Sequence, residues 1–322
     1  MQVFRQGWWL FGLGVCSLPL AFLLCGCPDT ASSGLPAAVP VETIHIPSLD
    51  VVLPARTASL DRKLVPECSG FAASRRYPGV IWTLSDSGNP NVIVAIQADG
   101  SVVKPASSGA GYKGITVSGV RNVDWEALAL DANGELIIGN IGNNLSNRKD
   151  LSFLAFPEPD PRVATQVKPR EIKVRYADQT DFPDRKKRYD CEAMFIWNGK
   201  VYVLTKRWSD TWTVLYRLDI QADGTGLFMP VTSFNSHGLV TDAAISPDGR
   251  LLAILTYHGI WAFVLPTAGS NPLNGEALYR PLQFPLKSWQ VEALAFSDND
   301  HLLIGSEEGD LYTLEVSRLA KV

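Results

Sequence analysis

One short pattern recurs along the chain and constrains its fold more than any other feature. The fullest copy spans residues 122–130, where a carboxylate precedes small and apolar residues, a turn and a β-rich run. The carboxylates that mark the copies are separated by 59, 66, 50 and 50 residues: Glu67, Glu126, Glu192, Asp242 and Glu292. A period near 50 residues with several strands in each copy is typical of a β-propeller, which has one repeat per blade.

The segments between these carboxylates predict an all-β domain. Apolar runs alternate with Asp-Gly and Asn-Gly turns, which are strong hairpin signals. The last repeat has only three strands, so we expect the alternating segment 43–46 near the N-terminus to supply the fourth and close the ring. This arrangement gives five blades. Six is the alternative, because residues 53–66 and the long second repeat have room for further strands.

The N-terminus predicts export. Arg5 precedes an apolar run over residues 8–24, followed by Leu24-Cys25-Gly26-Cys27 and a polar stretch. This is the pattern of a secretory signal, and 17 apolar residues broken by Pro19 are short for a membrane-spanning helix, which needs about 20. An ordinary cleaved signal and an uncleaved anchor are both compatible with this pattern.

The Leu-Cys-Gly-Cys tetrapeptide also resembles the lipobox of bacterial lipoproteins. This resemblance implies that Cys27 is acylated and becomes the first residue of the mature chain, and several acyl chains anchor a protein firmly. We then expect a signal peptide at 1–26, a lipidated Cys27 and flexible tether over 27–41, and a propeller over 42–322. The expected location is the cell envelope, on a bacterial membrane facing the periplasm or the cell exterior.

Charge and cysteine content limit the partners. The formal net charge of −4 and the lack of a long basic run argue against nucleic acid, and we expect a monomer. Beyond the signal and Cys27, only Cys68 and Cys191 remain. An exported protein could pair them, but they fall in repeats that are not neighbours, which favours buried free thiols.

The recurring carboxylates predict a polar ring at one mouth of the channel. The first strand of each propeller blade lines the axis, so Glu67, Glu126, Glu192, Asp242 and Glu292 would converge there. Crowded carboxylates repel one another unless a cation or hydrogen-bond donors relieve them, and oxygen ligands suit Ca²⁺. The structural alternative is that each carboxylate caps backbone N–H groups of its own blade without binding a ligand.

A second set of polar residues follows the second strand of most repeats. Loops at these positions cluster at one end of a propeller, so their side chains could recognise a polar ligand. Gly and Asn in such loops could equally serve only the positive φ that turns require. The candidate channel-mouth contacts, together with one residue of the recurring pattern itself, are Asp86, Asp124, Asn140, Lys206, Arg207, His258 and Glu307.

Three ordered blocks resemble a largely uncharacterised bacterial family of exported propellers. They are Asp86-Ser87-Gly88-Asn89, residues 122–129, and residues 139–144 with Arg148; Thr205-Lys206-Arg207 and residues 156–159 match two further blocks of that family. The resemblance is good over about residues 67–210 and implies a propeller without a settled activity. Asn140 and Asn143 stand where the family pattern has Asp, which lowers the negative charge available to a cation.

These observations favour a membrane-anchored, extracytoplasmic binding module that recognises a small polar ligand or an envelope protein. The four histidines are scattered without metal-ligand spacing, and the sequence has neither a Gly-x-Ser-x-Gly elbow nor a P-loop. The alternative is a Ca²⁺-dependent esterase or phosphoesterase that uses the axial carboxylate ring, as some phytases and lactonases do. Fold analogy alone does not establish that activity.

Overall fold

The computed structural model describes residue 46 and residues 48–269 and 271–322. The predicted signal peptide, Cys27, the tether and residues 43–45 of the predicted closing strand lie outside this range. Within the described residues, helical structure is limited to short 3-10 segments, and no helix is long and apolar enough to cross a membrane. The 3-10 segments are Ala106–Gly111, Pro272–Asn274, Leu286–Ser288 and Val316–Arg318.

The described chain folds into 23 β-strands, most of them joined by tight hairpins. The strands of the first half are β1 (Ala55–Ser59), β2 (Cys68–Ala73), β3 (Ile81–Ser85), β4 (Val92–Ile96), β5 (Val102–Val103), β6 (Ile115–Val117), β7 (Ala127–Leu130), β8 (Glu135–Asn140), β9 (Ser152–Pro157), β10 (Gln166–Val167) and β11 (Arg170–Tyr176). Those of the second half are β12 (Asp190–Trp197), β13 (Lys200–Lys206), β14 (Trp212–Ile220), β15 (Gly226–Asn235), β16 (Val240–Ile245), β17 (Leu251–Thr256), β18 (Gly259–Val264), β19 (Ala277–Pro281), β20 (Val291–Phe296), β21 (His301–Ser306), β22 (Asp310–Glu315) and β23 (Ala320–Lys321).

Successive strands pair as antiparallel meanders, and the first strand of each meander lies innermost. The inner strands β2, β7, β12, β16 and β20 contact one another in ring order, with β20 returning to β2. The predicted β-propeller class is therefore confirmed. A parallel pairing of β11 with β15 merges two meanders into one sheet, so the strand pairing gives four sheets. The number of five blades stays a prediction.

The apolar core lies between neighbouring meanders rather than at a single centre. Both faces of a central strand are covered, so β17 reads as a nearly continuous apolar run instead of an alternating one. Aromatic rings fill the spaces between sheets; Phe153 of β9, for example, packs edge-on against Phe228 of β15 at 5.6 Å between ring centroids. Replacing one such buried ring by Ala typically costs about 3–5 kcal/mol.

The strand that closes the ring is β1, and its predicted position at residues 43–46 is wrong. β1 pairs antiparallel with β22, so a segment from the start of the chain completes the last meander as expected. Ile46 is not in a strand; it packs with Leu49 against the cluster between the third and fourth meanders. β1 directly precedes β2 in the chain. The short connection 60–67 leads from β1, at the outer edge of the last meander, to β2, the inner strand of the first meander, and so places β1 at that edge.

The C-terminal strand and one long loop cover other sheet edges. The C-terminal strand β23 pairs with β19, and β10 pairs with β6 of the preceding meander. Glu158 of the Phe156-Pro157-Glu158-Pro159 block is buried and accepts a hydrogen bond from the Trp82 indole of the neighbouring meander, at 2.7 Å. Edges covered in this way are unavailable for pairing with other chains.

Candidate functional site

The inner strands bring acidic residues together at one end of the channel, and four of them, β2, β12, β16 and β20, begin with a shift in register. In β12 the register shifts between Cys191 and Ala193, which leaves Glu192 outside the ladder. β20 shows the same shift between Val291 and Ala293, at Glu292. A bulge redirects a side chain that regular pleating would send into the core. The three glutamates Glu126, Glu192 and Glu292 meet, with carboxylate oxygens within 4.8 Å of one another.

Two members of the predicted ring occupy other places. Glu67 is exposed and accepts a hydrogen bond from Asn89 at 2.6 Å. The ring position of its repeat belongs to Ser69, whose hydroxyl donates to Glu126 Oε2 at 2.5 Å. In the fourth repeat the bulge falls at Thr241. The predicted register was thus two residues early in the first repeat and one residue late in the fourth.

Asp242 caps backbone N–H groups, which is the structural alternative to ligand binding that the sequence analysis gives for the ring carboxylates. It is fully buried and accepts hydrogen bonds from the backbone N–H of Ala243 at 2.7 Å and of Leu294 at 2.6 Å. Burial nonetheless raises the pKa of its carboxyl well above the ordinary value. Asp242 therefore ties β16 to β20 and is not available as a ligand.

Lys206 occupies the space between Glu192 and Glu292. Its ammonium lies 3.0 Å from Glu192 Oε1, 3.1 Å from Glu292 Oε1 and 2.9 Å from the Tyr257 hydroxyl. Burial disfavours its charged form, but the two glutamates outweigh that effect and raise the pKa of Lys206 well above its usual value. Tyr257 also donates to Glu292. Lys206 thus acts as an internal cation for this pair.

The two glutamates of this pair titrate differently. Although burial acts in the opposite sense, Lys206 and hydrogen bonds from Glu307 and Tyr257 hold the pKa of Glu292 below its ordinary value. Burial raises the pKa of Glu192 well above its ordinary value despite Lys206, and Glu292 adds to the increase. Oε2 of Glu192 has no hydrogen-bond partner among the described residues. The pair therefore retains one free, buried acceptor.

A second carboxylate triad lies beside the first and shares Glu126 with it. Asp86, at the end of β3, and Asp124, just before β7, each place an oxygen within 4.8 Å of Glu126 and of each other. Both aspartates are partly exposed. Burial, with the charges of Asp86 and Asp190, raises the pKa of Asp124 to about 7. Burial and Glu192 raise the pKa of Glu126 well above its usual value.

Further groups complete this end of the channel. Trp208 and Trp289 are 44% and 42% exposed and flank the cluster. The Lys206 ammonium lies 5.0 Å from the Trp208 ring, and Trp289 packs on Tyr257 at 4.9 Å. Burial and the charge of Glu292 raise the pKa of Glu307 to about 9. Acidic groups beside accessible indole rings form a polar surface with two apolar platforms. We call these residues, together with the two carboxylate triads and Lys206, the acidic mouth.

Three predicted channel-mouth contacts do not join the acidic cluster. Arg207 is buried and forms an ion pair with Asp210 of its own loop at 2.6 Å. His258 is exposed, and its backbone rather than its ring makes the turn contacts. Asn140 is buried; its Oδ1 accepts from Asp124 N–H at 3.2 Å, and its Nδ2 donates to Ser152 at 3.2 Å. Asn140 therefore supports the position of Asp124 without facing the mouth.

Asn140 and Asn143, the two asparagines that stand where the resembling family has Asp, both use their amide as a donor. Asn143 donates to the Tyr189 carbonyl at 3.0 Å while its Oδ1 accepts from the N–H groups of Asn147 and Arg148. An ionised aspartate cannot donate. The departures thus remove charge next to the cluster and at the same time fix the 141–148 loop.

The opposite end of the channel has a different character. A cavity of about 440 Å³ lies where the inner strands end, and residues from all of them line it. Most of the lining residues are apolar, among them Leu128, Met194 and Leu294, but polar groups, including those of Arg75, contribute about half of the cavity surface. Of its described lining residues, Arg75 alone is ionisable, so we place the chemistry at the mouth. Cys68 and Cys191 are free and buried, as predicted.

Some site residues were missed by sequence reasoning. Ser69, Asp190, Tyr257 and Trp289 were not predicted as site residues. Counting back five residues from the turn that follows the inner strand gives Ser69, Glu126, Thr241 and Glu292, and counting back six from the shorter turn after β12 gives Glu192. The sequence alone therefore contains the correct alignment of the repeats, because the turn after each inner strand marks its position more reliably than the first carboxylate of the repeat does. Trp289 stands in a loop between repeats and carries no comparable signal.

Comparison with known proteins yields structural neighbours only. No protein-family model matches the chain, and no curated protein matches it in sequence. Its fold is similar to that of a PQQ-bound aldose sugar dehydrogenase from Streptomyces coelicolor (10% identity over 83% of this chain and 98% of that one, TM-score 0.44). A gluconolactonase from Xanthomonas campestris has 14% identity, 86% and 99% coverage and a TM-score of 0.41. The β-propeller domain of Cps50 (Swd1) from Myceliophteria thermophila has 12% identity, 79% and 72% coverage and a TM-score of 0.42.

Proposed function

We propose that the protein is a lipid-anchored, extracytoplasmic β-propeller that binds a small polar ligand or an envelope partner at the acidic mouth. The observation that carries this proposal is the buried cluster of Glu126, Glu192 and Glu292 around Lys206. Burying ionisable groups costs free energy, and clusters of such groups in a cleft are typical of functional sites. The exposed indoles of Trp208 and Trp289 add apolar contact area beside them.

The anchor rests on the lipobox-like tetrapeptide that ends at Cys27. A lipid at this position would hold the propeller close to a membrane surface. A tethered binding domain meets its partners there at a raised effective concentration, without needing a catalytic step.

A thermal-shift panel tests the binding function directly. Small amines, amino sugars and neutral sugars would be added to the purified protein, once in EGTA and once in Ca²⁺. We expect at least one class to raise the melting temperature, and Trp208→Ala and Trp289→Ala to reduce that shift. Glu135→Gln, at the opposite end of the second meander, is the matched control. Ligands whose shift survives both tryptophan variants would contradict binding at the acidic mouth.

The second candidate function is Ca²⁺-dependent hydrolysis of esters or phosphoesters. It is favoured by the two triads of carboxylate oxygens, whose spacing would allow a metal ion to be shared. Turnover that needs Ca²⁺ and disappears in Glu126→Gln, with the fold preserved, would support it. Equal rates in EGTA and Ca²⁺ would exclude it.

A further inference from the structure

We propose that Asp86, Asp124 and Glu126 bind one divalent cation of the Ca²⁺ class, whereas Lys206 keeps the adjacent Glu192 and Glu292 free of metal. This inference rests on the proposed binding function and deepens it, because it names the first ligand of the acidic mouth. It also moves the ion away from the ring that the sequence predicted, since Glu67 and Asp242 are engaged elsewhere.

The spacing of the three carboxylates fits a shared ion. Ca²⁺ lies about 2.3–2.6 Å from its oxygen ligands, so two ligands of one ion can be up to about 5 Å apart. One oxygen from each of Asp86, Asp124 and Glu126 satisfies that limit, because all three lie within 4.8 Å of one another. Asp86 and Asp124 are partly exposed, which leaves room for the water ligands that Ca²⁺ accepts.

The segments that carry these carboxylates are fixed by the surrounding backbone. The Asn122 amide donates to the carbonyls of Ser85 and Asp86, both at 2.8 Å, and its Oδ1 accepts from Trp125 N–H. Gly142 packs against the cluster so closely that a Cβ there would lie 2.5 Å from Cγ of Asp124 and 2.8 Å from Cγ of Glu126. The triad is therefore held together before any ion arrives.

The charges around the triad are compatible with a bound cation. Glu192, next to Glu126, is almost fully buried and its Oε2 has no partner among the described residues. Lys206 already serves Glu192 Oε1 and Glu292. The basic group nearest the aspartates is Arg148, which is 3.9 Å from Asp124 and is mainly engaged by the Gly142 carbonyl at 2.6 Å. Apart from this long contact with Arg148, no ion pair to the triad is found among the described residues, and the buried Oε2 of Glu192 beside Glu126 has no hydrogen-bond partner.

Terbium luminescence and calorimetry test this site. Tb³⁺ substitutes for Ca²⁺ and is sensitised by nearby indoles; here Trp125 lies between Asp124 and Glu126. We expect Tb³⁺ emission that Ca²⁺ competes away, and one Ca²⁺ per chain by titration calorimetry. Saturating Ca²⁺ should raise the melting temperature by several degrees. The probes are TbCl₃ and CaCl₂ added to the purified protein.

Three variants decide the location. Asp86→Asn with Asp124→Asn removes two ligands at partly exposed positions and should weaken Ca²⁺ binding at least 100-fold. Gly142→Ala keeps every ligand but displaces two of them, and should weaken binding at least 10-fold. Glu135→Gln should bind as the wild type does. Circular dichroism and the melting temperature in EGTA establish that each variant is folded.

The outcomes separate this site from the proposed function. A wild-type protein that binds no Ca²⁺ at millimolar concentration, or an ion that survives the double aspartate substitution, overturns the cation site. If a small polar ligand still binds in EGTA, the binding function stands without the ion. If Ca²⁺ binds as expected but no ligand shifts the melting temperature further, the cation site stands and the binding function fails.

Discussion

At the scale of single residues, the acidic mouth is a balance between burial and pairing. Glu192 and Glu292 are almost fully buried and are tolerated because Lys206 lies between them. The free energy of such a buried group depends on its partners, since an unpaired buried charge costs far more than a paired one gains. Substitutions here are therefore expected to act on stability as well as on binding.

Replacing Lys206 by Met should destabilise the protein strongly. The change removes the positive charge that faces Glu192 and Glu292 and leaves two buried carboxylates without it. We expect a loss of about 3–5 kcal/mol in the free energy of unfolding, measured by urea denaturation. Lys200→Met, at the exposed start of the same strand, is the control and should change it by less than about 0.5 kcal/mol. Equal effects of the two substitutions would contradict the internal-cation role.

Glu307 should make stability depend on pH. Burial and Glu292 raise its folded-state pKa to about 9, whereas an exposed glutamate titrates near about 4.3. The folded protein therefore keeps a proton that the unfolded chain releases in this range. The stabilisation is complete below about pH 4 and is lost as the pH rises through about 9. Urea denaturation from pH 5 to 9 should show the decline, and Glu307→Gln should flatten it. A decline of unchanged size in Glu307→Gln would show that another group causes it.

At the scale of elements, closure of the ring depends on how β1 is attached to β22. Asp310, at the start of β22, accepts from Arg56 of β1 and from the Ser288 hydroxyl, both at 2.6 Å. The carboxylate is mostly buried, whereas half of the Arg56 side chain is exposed. Asp310, the buried partner, is therefore expected to contribute more to the free energy of unfolding than Arg56, the exposed one.

Substitutions at the two ends of this contact should differ in cost. Asp310→Ala leaves Ser288 without its acceptor and should cost about 1–3 kcal/mol. Arg56→Met removes only the exposed end of the ion pair and should cost about 0–1 kcal/mol. Guanidinium denaturation of both variants measures the difference. If Arg56→Met were the more damaging, the closing contact would rest on the arginine rather than on the hydroxyl of Ser288.

At the scale of the whole molecule, the propeller has two unlike ends. The inner strands begin at the acidic mouth and end at the cavity of about 440 Å³, which has no carboxylate among its described lining residues. Under the proposed function, a polar ligand would therefore bind at the acidic mouth.

The proposed anchor makes a prediction about the location of the whole protein. Cys27→Ser should move the protein from the membrane fraction to the soluble fraction of the cell envelope, because the acylated residue is lost. Cys68→Ala changes a buried thiol in the propeller and should leave fractionation unchanged. Immunoblots of separated fractions, with and without detergent, measure both. Membrane retention of Cys27→Ser would point to an uncleaved signal instead.

The sequence by itself determined the repeating β architecture and the residue types of the site. A period near 50 residues, hairpin turns and a carboxylate near the start of each inner strand are local patterns, and a propeller repeats them at every blade. Hence Glu126, Glu192 and Glu292 were predicted together, and Lys206 and Asp86 were predicted as channel-mouth contacts.

Only the tertiary structure decided which groups meet. A bulge of one residue changes the face to which a side chain points, so Ser69 and Thr241 took the places expected for Glu67 and Asp242. The partners of Lys206 are 14 and 86 residues away in sequence, and no local pattern encodes such pairing. The closing strand was also misplaced, because pairing at a sheet edge depends on the path of the chain across the molecule rather than on its alternation.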